Sequence, residues 1–428
     1  MRILYLSQYY PPEMGAPAAR VSELSRAWAR LGHRVTVLTG FPNHPTGVVA
    51  EGYRGEWVRR EEVDGVQIVR APIFAAPNRG LFKRSLSYLS LAASSALLGP
   101  FLTERPEVII ATSPQFLTGL AGLWLSGLRR VPFVFEVRDL WPRSIVEVGA
   151  LPAGHPAIRA LSQLERLLYR RADRIVVVTE SFVDEIAALG VPREKLQVIT
   201  NGVDLELFQP RERAQARRAL GLPAEGLIAS YVGTHGMAHG LDTLVDTARL
   251  LRDEAAALGS AGTPPIVLLA VGEGAEKARL KARAQELGLT NLLFWDQRPR
   301  EQVAQVLAAS NACLVMLKGA PLFRTVIPSK IFECMGAGRA IVSTVDGESR
   351  RILEAAGAGL FSPPEDAGAL AALLAGLARD PARLDALGAS GRAHVVAHYS
   401  RPALARRYVE EVLEPLVAGV PAGARQPQ

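Results

Sequence analysis

Cysteine is scarce in this chain: two among 428 residues, Cys313 and Cys334. Both lie in apolar surroundings, so a disulfide framework is excluded and a reducing compartment fits. Charge is also sparse, at 21% of residues. No run reaches the roughly 18 uninterrupted apolar residues of a membrane span. The opening MRILYLSQYYPP lacks the length and cleavage pattern of a secretory signal. There is no G-x-G-x-x-G, which weakens a nicotinamide-dinucleotide reading. There is no zinc spacing, no 20–50-residue repeat and no clustered basic and aromatic nucleic-acid module. The net charge of +7 therefore points to anionic small molecules or lipid rather than to nucleic acid.

What is present is a long alternation of short apolar strands and amphipathic helices. Arg2–Ser7 reads as a buried strand. Val21, Leu24, Ala27, Trp28 and Leu31 recur at helical spacing, and Val35–Thr39 is the next strand. This is the opening unit of a doubly wound α/β sheet. Further strands are expected at Gln67–Ala71, Glu107–Ala111, Phe133–Val137, Arg174–Val178 and Leu196–Ile199. The turn-rich Asn201–Asp204 marks a junction. The pattern then restarts with strands at Leu227–Gly233, Ile266–Val271, Leu292–Phe294 and Ala312–Met316. The expected domains are 1–203, 204–400, a crossover helix over 401–418 returning to the first domain, and a fraying tail over 419–428. Two such Rossmann-like domains, facing each other across a cleft, suit group transfer with water excluded.

Candidate site residues follow from the carboxyl ends of these strands, the ligand-facing edge of an open α/β sheet. In PLFRTVIPSKIFECMGAGRAIVSTVD, residues 321–346, Ser329 is placed to cap a helix from Lys330 to about Gly336. A helix start with Arg324 before it and Lys330 in its first turn suits an anion. Glu333, one turn on, can accept two hydrogen bonds from a vicinal diol. Diphosphate followed by ribose matches that order. An ordinary capped helix with a charged surface would look the same in sequence. In the first domain, Gly15 allows close backbone approach, and Arg20 lies in the first helical turn. His44 sits at the centre of the loop after the second strand. Glu136, Arg138 and Asp139 follow an apolar strand. Asp139 is either a helix cap or a site residue. Arg79–Leu102 is an apolar segment with a basic start, interrupted by Ser, Gly and Pro; it is either a helix on the sheet or an interfacial helix at anionic head groups.

Three motifs carry a family resemblance: NGVD at Asn201–Asp204, YVGTHGMAHGLDTLVDTA at Tyr231–Ala248 and PSKIFECMGAGRAIVST at Pro328–Thr344. In order and across most of the chain, they resemble GT-B-fold glycosyltransferases, specifically retaining family 4. SQYYPPEMGAPAAR and FPNHPTG resemble a narrower branch, the bacterial O-antigen and capsule transferases of the N-acetylfucosamine type. The resemblance implies a uridine diphosphate-sugar donor on the second domain and an acceptor on the first. It implies transfer with retention, no metal or other cofactor, and cell-surface polysaccharide synthesis. A lipid-linked saccharide acceptor at the cytoplasmic face of a membrane is expected, with residues 79–102 as the contact. Glu333 maps onto the family's ribose-binding Glu, and Gly15 onto the Gly near the donor phosphate.

The departures are specific. The first Glu of the family's Glu-x7-Glu pair is Thr325 here. The turn's usual Arg and Lys are Thr234 and His239. Arg324 and Lys330 are therefore expected to take over charge neutralisation. Thr234, His235, Gly236, His239 and Ser329 would add donor contacts. Frontside attack would let the leaving phosphate take the acceptor proton, with Asp139 orienting the acceptor or assisting. Arg20, His44, Glu136 and Arg138 are the acceptor-side candidates. A non-catalytic nucleotide-sugar-binding scaffold and a nucleotide-sugar 2-epimerase are the alternatives.

Overall fold

A computed structural model of the chain describes its residues apart from 45, 77–80, 114, 148, 259–263 and 420–428, and apart from the side chains of 81, 82 and 258. The tail beyond Gly419 and the basic opening at Arg79 lie outside the described residues. The chain divides into two compact units, residues 1–200 with 401–428, and residues 201–400.

The first unit is built on β1 (Arg2–Leu6), β2 (Arg34–Gly40), β3 (Arg59–Val63), β4 (Val66–Ala71), β5 (Val108–Thr112), β6 (Phe133–Val137), β7 (Arg174–Val177) and β8 (Leu196–Val198). Their order is β3-β4-β2-β1-β5-β6-β7-β8. Every neighbouring pair is parallel except β3 with β4. That edge strand, Arg-Arg-Glu-Glu-Val, is absent from the sequence reading. Its charges suit a solvated edge, and Asp64 and Gly65, both at positive φ, make the tight turn into β4.

Helix α1 (Ala16–Arg30) buries Val21, Leu24 and Trp28. The Trp28 indole donates to the carbonyl of Ala405 at 3.0 Å and packs against Tyr5 and Tyr408. The C-terminal segment is thereby held on the first unit. It is helical over Arg401–Tyr408 and Glu414–Ala418, with a wider turn at Val409–Leu413. Pro415, which has no amide to donate, follows that turn directly.

Helix α2 (Leu81–Leu102) runs unbroken through its serines and Gly99, with Pro100 in its last turn. Ser87, Ser90, Ser94 and Ser95 face the protein, whereas Ser85 is exposed: Ser94 donates to the carbonyl of Pro72, and Ser90 accepts from the amide of Phe74. Leu89, Leu97 and Phe101 are exposed, Leu97 by 69% and Phe101 by 83%. Among the described residues, Lys83–Leu102 is the one helix long and apolar enough to cross a membrane by length and composition. One side of this helix packs on the protein, and its other side is exposed and apolar.

The second unit holds β9 (Leu227–Val232), β10 (Ile266–Val271), β11 (Leu292–Trp295), β12 (Ala312–Val315), β13 (Ala340–Ser343) and β14 (Gly359–Phe361) in the order β11-β10-β9-β12-β13-β14. All pairs are parallel. The chain order reverses between β1 and β5 in the first sheet and between β9 and β12 in the second. These are the switch points at which open α/β sheets hold ligands.

Close approach of α3 (Thr118–Arg129) to the first sheet depends on two glycines. A Cβ at Gly119 would stand 2.8 Å from the Phe135 ring, and one at Gly122 would stand 2.7 Å from the Phe133 ring. A Cβ at Gly127 would meet nothing within 4 Å. The same substitution is therefore expected to have opposite signs in one helix. Gly122→Ala should cost about 1–3 kcal/mol by overpacking, and Gly127→Ala should gain about 0.5–1 kcal/mol from backbone entropy. Urea unfolding of the two variants checks this; equal shifts would show that α3 does not sit on the sheet as described.

Candidate active site

At the second unit's switch point, the chain leaves β9 through Gly233, whose φ is 152°. The turn lies against a second one after β10. A Cβ at Gly272 would be 1.9 Å from the Gly233 carbonyl oxygen, and one at Gly274 would be 2.3 Å from that of His235. Only glycine lets these backbones touch. The His235 amide donates to the Glu273 carbonyl, and the His235 carbonyl accepts from the Glu276 amide. The Tyr231 hydroxyl donates to the Thr234 carbonyl at 2.8 Å.

Lys330 reaches into this turn from the neighbouring strand's connection. Its Nζ is 4.0 Å from the centre of the Tyr231 ring and 2.4 Å from where a Cβ on Gly233 would stand. The ammonium is buried and has no hydrogen-bond partner among the described residues. Burial pulls its pKa down to about 8, against weak support from Cys334 and Glu333. The π face of Tyr231 offsets part of that penalty. His235 and His239 flank the same ring at 5.9 and 6.2 Å. Burial first, then nearby lysines, holds His235 near 4 and His239 near 3, so both are neutral at pH 7. Neither ring nitrogen of His235 has a hydrogen-bond partner among the described residues, while His239 Nδ1 lies 3.3 Å from the Gly236 carbonyl. Thr234 is exposed at the mouth of the turn.

The helix carrying Lys330 spans Lys330–Gly336, as its sequence indicates. Ser329, however, has helical φ and ψ and makes no side-chain capping bond. In that conformation its hydroxyl does not reach forward to the amides ahead of it. Glu333 shares a narrow cavity with Lys330, Cys334 and Ser230, and Arg300 stands 3.9 Å from its carboxylate. Arg324 is not brought to this site. It is 65% exposed and pairs with Asp346 at 3.2 Å, so its charge is already met at the surface.

In the first unit, Gly15 has φ 136° and begins α1, placing the loop after β1 on the switch point. Two acceptor-side expectations are corrected here. Arg20 is buried and pairs with Glu136 at 3.1 Å, while donating to the carbonyls of Ile199 and Thr200. Glu136 also accepts from Tyr5 and Thr112. Burial raises the Glu136 carboxyl, but Arg20 and Arg138 more than offset this and hold it below its ordinary value. Both groups are buried and paired, and they fasten α1 to β6 and to the end of β8.

Arg138 differs. Its amide donates to the Ser113 hydroxyl and its Nη2 to the carbonyl of Ala16, but Nε and Nη1 are buried and unpaired. Burial and the nearby Arg20 lower its pKa. Burial pushes Asp139 up to about 6 against the pull of Arg138, which poises it for proton exchange near neutrality. His44 packs edge-on against Tyr9 at 5.3 Å. Its loop is fixed by Glu13, missed in the sequence reading, whose buried carboxylate accepts from the amides of Tyr10, Asn43 and His44. Among the described residues, no group of three His, Cys, Asp or Glu could hold a metal ion.

Residues 15–202 match the family model described as "Glycosyl transferase 4-like domain", and residues 212–394 match "Glycosyl transferases group 1". The chain is 26% identical to the "Putative colanic acid biosynthesis glycosyl transferase WcaI" of Escherichia coli K12, covering 81% of this chain and 84% of that one. Its fold is similar to that of sucrose-phosphate synthase from Thermosynechococcus elongatus, with TM-score 0.71 at 21% identity over 98% of this chain and 100% of that one. It is also similar to Anabaena Alr3699/HepE, solved in complex with UDP-glucose, with TM-score 0.71 at 17% identity over 96% of this chain and 99% of that one. The two parallel-sheet α/β units are those of the GT-B fold.

The depressed Lys330 pKa has a consequence for stability. Below about 8 the folded protein carries the full cost of a buried charge. As pH rises from there toward the ordinary lysine value, the folded state sheds the proton before the unfolded state does, and stability rises. Lys330→Met should therefore be more stable than the parent at pH 7, with the gain shrinking by pH 10. Urea midpoints of both proteins at the two pH values test this; a gain independent of pH would mean that the ammonium is solvated.

Proposed function

The chain belongs to the GT-B glycosyltransferases, and from that membership we propose that it moves a sugar, with retention, from a uridine diphosphate-sugar to a lipid-linked saccharide in cell-surface polysaccharide synthesis. The observation that carries the donor side is the unpaired ammonium of Lys330 in the glycine turn at the second sheet's switch point. A cation buried without a counter-charge is costly, and a diphosphate would relieve that cost. Glu333, one turn further along the same helix, suits the ribose hydroxyls. The UDP-glucose complex of the HepE structure and the colanic acid role in the WcaI name support the donor class and the pathway type.

In this reading the bond from the anomeric carbon to the diphosphate oxygen breaks, and its electron pair leaves with the diphosphate. The acceptor oxygen bonds to the same carbon, and its proton passes to the leaving phosphate. Lys330 stabilises the charge that grows on the diphosphate, more in the transition state than in the ground state. Neutral His235 and His239 and the backbone at Gly236 add hydrogen bonds without competing for the charge. Protein groups alone carry the diphosphate in this proposal, with no metal required. Gly15 brings backbone close to the donor, and Asp139, with Arg138 beside it, orients the acceptor hydroxyl in the first unit. Arg20 and Glu136 have no part in it.

The decisive assay supplies a panel of uridine diphosphate-sugars with and without an N-acetylglucosaminyl-diphosphate lipid, in EDTA. Acceptor-dependent release of uridine diphosphate is expected. Lys330→Ala should lower kcat/KM by about 10²–10³, and Glu333→Ala should raise the donor KM. Tight donor binding without turnover on any acceptor would favour a scaffold, and acceptor-free isomerisation an epimerase.

Membrane contact is the second part of the proposal. Leu89, Leu97 and Phe101 of α2 are exposed, as are Trp124 and Leu128 of α3, the helix it packs on. Lys83 at the start of α2 and Arg129 and Arg130 at the end of α3 add positive charge, which suits a peripheral position on an anionic leaflet. Replacing Leu89, Leu97 and Phe101 with Ser should reduce flotation with anionic liposomes by several-fold. Unchanged flotation would remove this part and leave the transferase reading intact.

A further inference from the structure

Five side chains from four separate segments meet at the carboxyl edge of the first sheet, and only His44 among them was expected there. Tyr9 comes from the loop after β1, His44 from the loop after β2, and Trp141 from the loop after β6. Arg84 and Tyr88 stand one turn apart on α2. Tyr9 meets His44 edge-on at 5.3 Å, and its phenol meets that of Tyr88. Tyr88 meets Trp141 edge-on at 6.2 Å. Arg84 Nε donates to the Tyr88 hydroxyl at 2.7 Å, with the guanidinium 5.6 Å from that ring. Gln115 fixes this turn of α2 by donating to the Tyr88 carbonyl at 2.8 Å.

All five are half-buried, unlike the aromatic rings of the core, such as Tyr5 and Phe133, which are closed off. The one hydrogen bond shown for the Arg84 guanidinium among the described residues uses Nε, which leaves the fork of Nη1 and Nη2 for a ligand. Among the described residues no carboxylate pairs with it, and burial and Arg84 itself lower the pKa of His44 beside it. Open aromatic faces accept the apolar face of a pyranose. A guanidinium fork with spare N–H groups matches a phosphate.

We propose that Tyr9, Arg84, Tyr88 and Trp141 form a subsite for a phosphorylated saccharide, the rings holding the sugar and Arg84 its phosphate. Describing that saccharide as the acceptor rests on the transferase reading above; the binding itself does not.

The test uses the full chain and three probes: N-acetylglucosaminyl diphosphate on a short alkyl chain, the matching alkyl N-acetylglucosaminide without phosphate, and uridine diphosphate. The parent protein should bind the first probe at least tenfold more tightly than the second. Arg84→Gln should abolish that preference, while Trp141→Ala should weaken both sugars at least fivefold. Uridine diphosphate affinity should be unchanged in each variant. Trp141→Phe should retain binding but lose the change in tryptophan fluorescence that binding causes. Tyr88→Phe removes only a hydroxyl; should Trp141→Ala fail to fold, Tyr88→Phe takes its place and should reduce the preference. A preference that survives Arg84→Gln overturns the subsite, as does absence of saturable binding of the diphosphate probe to the parent. Failure of uridine diphosphate and its sugars to bind would instead count against the transferase reading.

Discussion

A positive charge kept out of water without a negative partner is the constraint around which the second unit is arranged. Lys330 is held over the Tyr231 ring in space that exists because Gly233 has no side chain. The glycine has room to adopt its φ because Gly272 and Gly274 let the neighbouring turn close onto it. The two histidines beside the ammonium stay neutral because they share its burial and its field. Each feature is costly for a protein that needs only to fold, and each becomes favourable once an anion arrives. In the proposed reaction, relief of that burial is available to the charge that develops on a leaving diphosphate.

The first unit uses a buried charge in the opposite way. Arg20 and Glu136 satisfy one another, and the remaining donors and acceptors are taken by Thr112, Tyr5 and the carbonyls of Ile199 and Thr200. Such a pair ties α1 to β6 and is closed off from solvent. Arg138, two residues from Glu136, keeps two N–H groups unpaired. Arg20 lies on α1 and Arg138 just after β6, and they differ in how fully their N–H groups are paired among the described residues. Arg324 lies at the surface paired with Asp346, whereas Lys330 is buried over the Tyr231 ring.

The strands were legible because parallel strands buried on both faces read as continuous apolar runs. The units restart after Asn201 for the same reason. β3 escaped because its residues are charged, although the Asp64–Gly65 pair ahead of an apolar strand was a hairpin signal in plain view. Helix Lys330–Gly336 was legible at both ends, but the orientation of Lys330 was not. It depends on a void at Gly233, nearly a hundred residues earlier in the chain. The Arg20–Glu136 pair spans 116 residues, a separation at which local pattern carries no information. α2 concealed its polar residues in another way. Averaged along its length it is apolar, so Arg84 and Tyr88 read as the edge of a greasy segment rather than as part of a site.

The departures from the family's turn then form a single change rather than several losses. A turn with Thr234 and His239 in place of arginine and lysine has no fixed charge of its own, so the charge must come from elsewhere. In the proposed function Lys330 supplies it, from a helix packed in the core through Ile331, Phe332 and Met335. A cation on such a support has few rotamers and loses little entropy when it binds. A long side chain on the exposed turn would have to be ordered at that moment. The small residues of the turn leave room for the ammonium, and neutral imidazoles donate without adding repulsion. The chemistry asks for one positive charge at a defined point. On the proposed function, this chain meets that demand from the strand-to-helix connection after β12 instead of the turn after β9, two segments that lie together at one switch point.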